Sequence, residues 1–304
     1  MTEIIRRRSV ETVAFTTSDG WTLDGLLYPA ESDAGEKTVL LHVHGKGATM
    51  FDIHARWLPD ALRGVAHFAF NMRCHALAYN TDRDDVPVHG GMYESLAEGE
   101  ADLQAAVEFL RAEGFEQIVM SGHSSGGYYA GVYTPTGDDI VGRILLSPLT
   151  DNKTALSWWW PEPADLARAI EVAEAMVAEG RGSEIIPLPS WYWGITAKSL
   201  IERAATPGSE FWIERVNLRD SPVLFGWGGT ESRDDTWAEI GTRLDPEVHD
   251  ARIGESDHWY HGHEDEMTEL VAGFVERVAG VSAWGSGSGS RSGSRAVPVL
   301  ARKG

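Results

Sequence analysis

The sequence predicts an α/β protein: an open, mostly parallel sheet with helices covering both faces. Three observations predict it. Thr38–Val43 is a nearly continuous apolar and β-branched run, the pattern of a strand buried on both faces. Such runs alternate with stretches of helical period, as in Glu94–Glu113, where Leu96, Leu103, Val107 and Leu110 share one face. Finally, Ile118-Val119-Met120 leads through Gly122-His123-Ser124-Ser125-Gly126 into the packed stretch Gly127–Tyr133, a strand, a G-x-S-x-G turn and a helix in direct succession.

In chain order, Val10–Thr16 and Trp21–Tyr28 read as strands joined by the turn Thr17-Ser18-Asp19-Gly20. Thr38–Val43 follows and ends in His44-Gly45-Lys46-Gly47. A helix is expected from about Met50 to Arg63, then a strand over Val65–Asn71 and a polar loop over Met72–Gly91. Gly114 closes the Glu94–Glu113 helix ahead of the strand Ile118–Met120. Val141–Ser147, Pro222–Trp227 and Val248–Ile253 are the remaining strands, and Met267–Val278 is a closing helix. That makes eight strands in the sheet.

Two segments break the rhythm. Residues 148–220 place about seventy residues between two strands, too many for a structureless loop. The segment carries a helical stretch at Ala164–Glu179 and the aromatics Trp158, Trp159, Trp160, Trp191, Tyr192, Trp193 and Trp212. A small helical cap inserted after the sixth strand is expected there, with residues 1–147 and 221–284 forming the sheet domain. Residues 285–304, which include GSGSGSRSGSR, form a low-complexity tail with no means of building a core.

Composition narrows the function. The chain has 304 residues, with hydrophobic residues at 42% and charged residues at 24%, enough for one large core. Its formal net charge of −20 disfavours nucleic acid and anionic membranes as partners. The single cysteine, Cys74, leaves no internal disulfide and fits a reducing compartment. Arg6-Arg7-Arg8 is followed by Ser9-Val10-Glu11-Thr12 rather than an apolar stretch, so neither a signal peptide nor a membrane span is expected, and the expected location is cytoplasmic.

The chemistry centres on Ser124. A serine on a sharp strand-to-helix turn is lifted above the sheet, and the Ser125 N–H at the helix start points to the same spot. The bland alternative is a glycine-rich turn with an idle serine. Acyl transfer needs a base, a group orienting the base and a second oxyanion donor. Gly45 allows close approach after a strand end, and the Lys46 N–H is the candidate second donor, whereas His44 suits a structural bond or the substrate pocket. His258, in Gly254-Glu255-Ser256-Asp257-His258-Trp259, follows the last strand and is the candidate base. His258, His261, His263 and Glu264 match no strong metal-ligand spacing, and nothing in the chain calls for a metal or cofactor. The orienting carboxylate is expected in the loop after Trp227: Glu231 first, Asp234 second, with Asp235 also available. Trp158, Trp159, Trp191 and Trp193 either wall an apolar or aromatic substrate pocket or glue the cap to the sheet. Lys46, Arg56 and Arg73 are the basic residues that could gather at its mouth. Nothing marks Cys74 as an activated thiolate.

The order Ser124, Glu231, His258 and the turn Gly122-His123-Ser124-Ser125-Gly126 resemble the α/β-hydrolase superfamily of serine hydrolases over roughly Val10–Val278. Phe70-Asn71-Met72-Arg73-Cys74-His75 is similar to the N-x-R-G-H stretch of many members, with Cys74 in place of glycine. Glu rather than Asp at the acid position, and Lys46 in the oxyanion loop, are further departures. The resemblance implies an α/β-hydrolase fold and a serine esterase acting on a small-molecule carboxylic ester. A thioesterase, amidase or acyltransferase would use the same residues, and a non-catalytic ligand-binding member is the reading from another class.

Overall fold

The computed structural model describes residues 8–52, 54–80, 88–191, 193–218, 221–245 and 248–285. The low-complexity stretch 286–304, Tyr192 and part of the 72–91 loop lie outside the described residues. Eight strands form one sheet: β1 (Glu11–Thr16), β2 (Thr22–Tyr28), β3 (Thr38–Val43), β4 (Ala66–Phe70), β5 (Gln117–His123), β6 (Ile140–Leu146), β9 (Val223–Gly228) and β10 (Val248–Ile253). Their spatial order is β1-β2-β4-β3-β5-β6-β9-β10. The β1–β2 and β2–β4 pairings are antiparallel and the rest are parallel.

The central strands alternate between two apolar layers because successive side chains leave opposite faces. Val39, Leu41 and Val43 of β3 join one cluster, whereas Leu40 joins another. The first layer is covered by α2 (Leu96–Ala112) through Leu103, Val107 and Leu110, and by α3 (Ser125–Val132) through Tyr128 and Tyr129. The second is covered by α1 (His54–Ala61) and α9 (Glu264–Ala279), through Leu58, Met267, Val271 and Phe274. The helix expected over 50–63 is shorter than its apolar spacing suggests. Residues 48–52 instead make turns, such as Thr49 N–H to Asp52 Oδ2 at 2.5 Å.

The 148–220 insertion holds α4 (Asn152–Trp159), α5 (Pro163–Ala178), a two-stranded ribbon of β7 (Ile185–Pro187) and β8 (Gly194–Thr196), α6 (Ala197–Ala205) and α7 (Ser209–Asn217). Leu156, Trp159, Trp160, Met176, Ile195 and Leu200 make an apolar cluster of their own. In contrast, Trp212, Ile213 and Val216 of α7 join the cluster under the sheet. The insertion thus splits: α4 to α6 pack together, while α7 packs as part of the sheet layer. After β9, α8 (Asp234–Arg243) buries Trp237 and Ile240 in the same layer. Among the described residues no helix is long and apolar enough to cross a membrane.

Candidate active site

The parallel strands β3, β5, β6, β9 and β10 end on one edge of the sheet, and the turns that follow them converge there. Ser124 sits between β5 and α3 with φ 56° and ψ −119°, a strained conformation for a residue with a Cβ. Neighbouring glycines make the turn possible. A Cβ on Gly122 would collide with the Gly126 carbonyl, and one on Gly126 with the carbonyl of Val43. The Ser124 backbone is held by its N–H to Leu146 O at 3.0 Å and by its carbonyl, which accepts from Leu149 N at 2.8 Å. Gly45 brings the loop after β3 against the turn, so that its Cβ position would lie 3.1 Å from Ser124 Cβ. Among the described residues, neither the Lys46 nor the Ser125 backbone N–H donates to a protein acceptor.

His258, in the turn between β10 and α9, places Nδ1 2.5 Å from Glu231 Oε2. The other Glu231 oxygen, Oε1, accepts from Gly228 N at 2.8 Å and from Ser147 Oγ at 2.5 Å. Tyr260 OH lies 2.6 Å from Ser147 Oγ, which extends the chain of hydrogen bonds into the core. Ser147 (φ 41°) and Tyr260 (φ 60°) both hold left-handed backbone conformations. Strain of that kind at two positions supporting one carboxylate costs about 1–3 kcal/mol each. His123, the residue before Ser124, places Nε2 2.8 Å from the His258 carbonyl oxygen, and burial holds its pKa well below the ordinary value. Neutral His123 therefore donates to that carbonyl and ties the turn carrying His258 to the turn carrying Ser124.

Ser124, Ser125, Lys46, Glu231 and His258 line a single cavity of about 960 Å³, and Trp158, Trp159, Trp191 and Trp193 also line it. His44 does not belong with the pocket. It is buried, with Nδ1 2.7 Å from Gly45 O, and Nε2 accepts from Met72 N–H at 3.1 Å. With both nitrogens committed to neighbouring backbone, it shapes the loop. Arg73 is likewise away from the cavity, bound to Asp19 at 2.7 Å and Asp102 at 2.8 Å, while Lys46 and Arg56 do line it. Asp234 opens α8. Cys74 is buried, and burial pushes its thiol pKa well up. Among the described residues no group of His, Cys, Asp and Glu could hold a metal ion.

Several site residues escape sequence reasoning. Glu94 is fully buried and binds Lys46 Nζ at 2.6 Å, Tyr129 OH at 2.8 Å and the guanidinium of Arg203 from α6. Lys46 also bonds the Gly91 carbonyl, and burial lowers its pKa to about 8. Arg203 further contacts Asn152 Oδ1 of α4. One carboxylate therefore joins the loop after β3 to the insertion through two cations. Ser147 follows β6 and Glu94 precedes α2, positions that carry no sequence signal for such roles.

In sequence no curated protein matches the chain. Solved structures similar to it include the alpha/beta hydrolase GrgF from Penicillium sp. sh18, with a TM-score of 0.69, 14% identity, and coverage of 90% of this chain and 99% of that one. Est1E from Butyrivibrio proteoclasticus has a TM-score of 0.62 at 17% identity, covering 88% and 99% of the two chains, and has also been solved with ferulic acid bound. The Pyrococcus furiosus esterase Pf2001 has a TM-score of 0.59 at 17% identity, covering 90% and 92%. At such identities the likeness concerns the fold. The model of the alpha/beta hydrolase family matches residues 39–280, most of the chain and every strand of the parallel edge just described. The chain therefore belongs to the alpha/beta hydrolase family.

Proposed function

We propose that the protein is a serine hydrolase that cleaves a small-molecule carboxylic ester through an acyl-enzyme on Ser124. The observation that carries this reading is the 2.5 Å contact of His258 Nδ1 with Glu231, in the cavity lined by the strained Ser124. With Nδ1–H donated to the carboxylate, His258 Nε2 is left as the acceptor for the Ser124 proton. Ser124 Oγ then attacks the ester carbonyl, forming a C–O bond as the carbonyl π electrons move to oxygen. The Lys46 and Ser125 N–H groups receive that oxyanion, and loss of one such donor costs about 3 kcal/mol. The imidazolium returns its proton to the departing alkoxide. Water, deprotonated by the same imidazole, then releases the acid and regenerates Ser124.

The tryptophan walls suit a substrate with an apolar or aromatic portion. The ester is ordinary small-molecule chemistry that needs no cofactor from this site. The test is labelling with a fluorophosphonate probe, located by peptide mass spectrometry, beside a p-nitrophenyl ester series. Modification at Ser124 that disappears in His258→Ala, with turnover abolished in folded Ser124→Ala, is the expected result. Undiminished turnover in folded Ser124→Ala would overturn the reading.

A further inference from the structure

The cavity holds a cation that the hydrolytic steps do not use. Arg233 sits at the N-cap of α8, two residues after Glu231, and lines the same cavity as Ser124. Its guanidinium carbon lies 4.5 Å from the Trp158 ring centroid and 5.0 Å from that of Trp237. Among the described side chains it has no carboxylate at ion-pair distance. Ring faces bind the flat faces of a guanidinium and leave its in-plane N–H groups unmet. Glu231 and Asp151 are the nearest charges acting on it, but both are committed elsewhere. Glu231 holds His258, and Asp151 accepts from Lys153 N–H and Thr154 Oγ1. Burial lowers the Arg233 pKa to about 10, which leaves it charged at neutral pH.

The charge around it points the same way. Lys46 and Arg203, both at the cavity wall, share the single carboxylate of Glu94, and Arg203 Nε is buried without an acceptor. Two of the cavity's own carboxylates are occupied, Asp52 by the Thr49 N–H and Asp257 by the ring and N–H of His261. A planar bidentate anion meets the free edge of Arg233 best.

We infer that the substrate is an ester bearing a carboxylate away from the scissile bond, and that Arg233, held against Trp158 and Trp237, receives this carboxylate. The inference rests on the proposed esterase reading. Arg233 is then a specificity-determining residue: it orients one end of the substrate while Ser124 acts on the other. The tryptophans position the guanidinium and cover the flanking carbon skeleton.

The test uses kcat/KM on the full chain for two pairs of esters of similar size that differ in charge. p-Nitrophenyl hydrogen glutarate against p-nitrophenyl valerate places the charge on the acyl side. 4-Acetoxybenzoate against its methyl ester places it on the leaving side. The expected result is a preference for the anion of about tenfold or more in one pair, equivalent to ~1.4 kcal/mol. It should shrink with added salt, collapse in Arg233→Met and be partly retained in Arg233→Lys. A neutral preference in both pairs, or an anion preference that Arg233→Met leaves unmoved, would overturn the inference. Calorimetric titration of 4-acetoxybenzoate and hydrogen glutarate monoester into Ser124→Ala protein needs no turnover. Saturable binding lost on adding Arg233→Met supports the site, and binding that is absent or indifferent to the substitution refutes it. Failure of the esterase reading itself shows separately, as a folded wild-type protein whose Ser124 takes no fluorophosphonate.

Discussion

Glu231→Gln is the most informative perturbation of the proposed machinery, because the surrounding donors dictate how the amide must sit. Glu231 Oε1 receives two donors, Gly228 N–H at 2.8 Å and Ser147 Oγ–H at 2.5 Å, while Oε2 alone faces His258 Nδ1. A glutamine keeps both donors satisfied only with its carbonyl oxygen in the Oε1 position. Its NH2 group then faces Nδ1. An amide N–H there requires Nδ1 to accept, so the ring proton moves to Nε2, and the imidazole can no longer take the Ser124 proton. The loss expected from this wrong tautomer is on the order of 10³–10⁴ in kcat, or about 4–5.5 kcal/mol of barrier, with KM little changed. Size and packing are conserved, so the melting temperature should move little. The assay is p-nitrophenyl acetate turnover, corrected for the fraction of protein that remains labelled by a fluorophosphonate at long times. A loss below about tenfold in a folded variant would show that the carboxylate does not set the histidine tautomer, and the assigned role of Glu231 would be wrong.

Other perturbations test other parts of the structure. Glu94→Gln leaves Lys46 and Arg203 buried together without their shared carboxylate, and should cost about 3–5 kcal/mol. For a chain of this size that is a fall of about 10 °C in Tm, and an unchanged Tm would refute the view of Glu94 as the tie between loop and insertion. His42, His44 and His67 are buried and neutral, held down by burial to about 3, 4 and 3 from an ordinary 6.5. They take up protons near pH 6 only when unfolded, so stability should fall as pH drops below about 6.5, by about 2 kcal/mol per histidine at pH 5. Asp102, pushed up to about 6 by burial, has the opposite sign and offsets only about 1 kcal/mol. A Tm that is flat or rises between pH 7 and 5 would contradict this balance. Trp191→Ala should raise KM for bulky aryl esters more than for acetate esters, since its ring, 6.3 Å from Trp193, forms part of the cavity wall. Equal effects on both would make it a structural residue only.

Much of the fold is legible in the chain because its signals are local. Strands buried on both faces read as nearly continuous apolar runs, which is why Thr38–Val43 and Ile118–Met120 stand out. The turn at Ser124 is legible too, since glycines at 122 and 126 are required wherever a strand bends that sharply onto a helix. The insertion is harder to read. α4, α6 and α7 are eight or nine residues long, too short for a clear period, and their apolar residues face different partners. The ribbon of β7 and β8 is three residues per strand and has no pattern to find.

By itself the sequence determined the layered α/β architecture, the serine on its turn, and a late histidine and an acidic loop placed at strand ends. Apolar period and obligatory glycines are properties of neighbouring residues, so they survive without a partner in view. Only the tertiary structure decided that Glu231 meets His258, that Ser147 and Tyr260 support it, and that His44 turns away from the cavity. It alone brought Glu94 to Arg203, 109 residues away, and set Arg233 over the rings of two tryptophans. These contacts join residues distant in the chain. A side-chain hydrogen bond or ring stack depends on position to within an ångström, which no local pattern of residue types encodes.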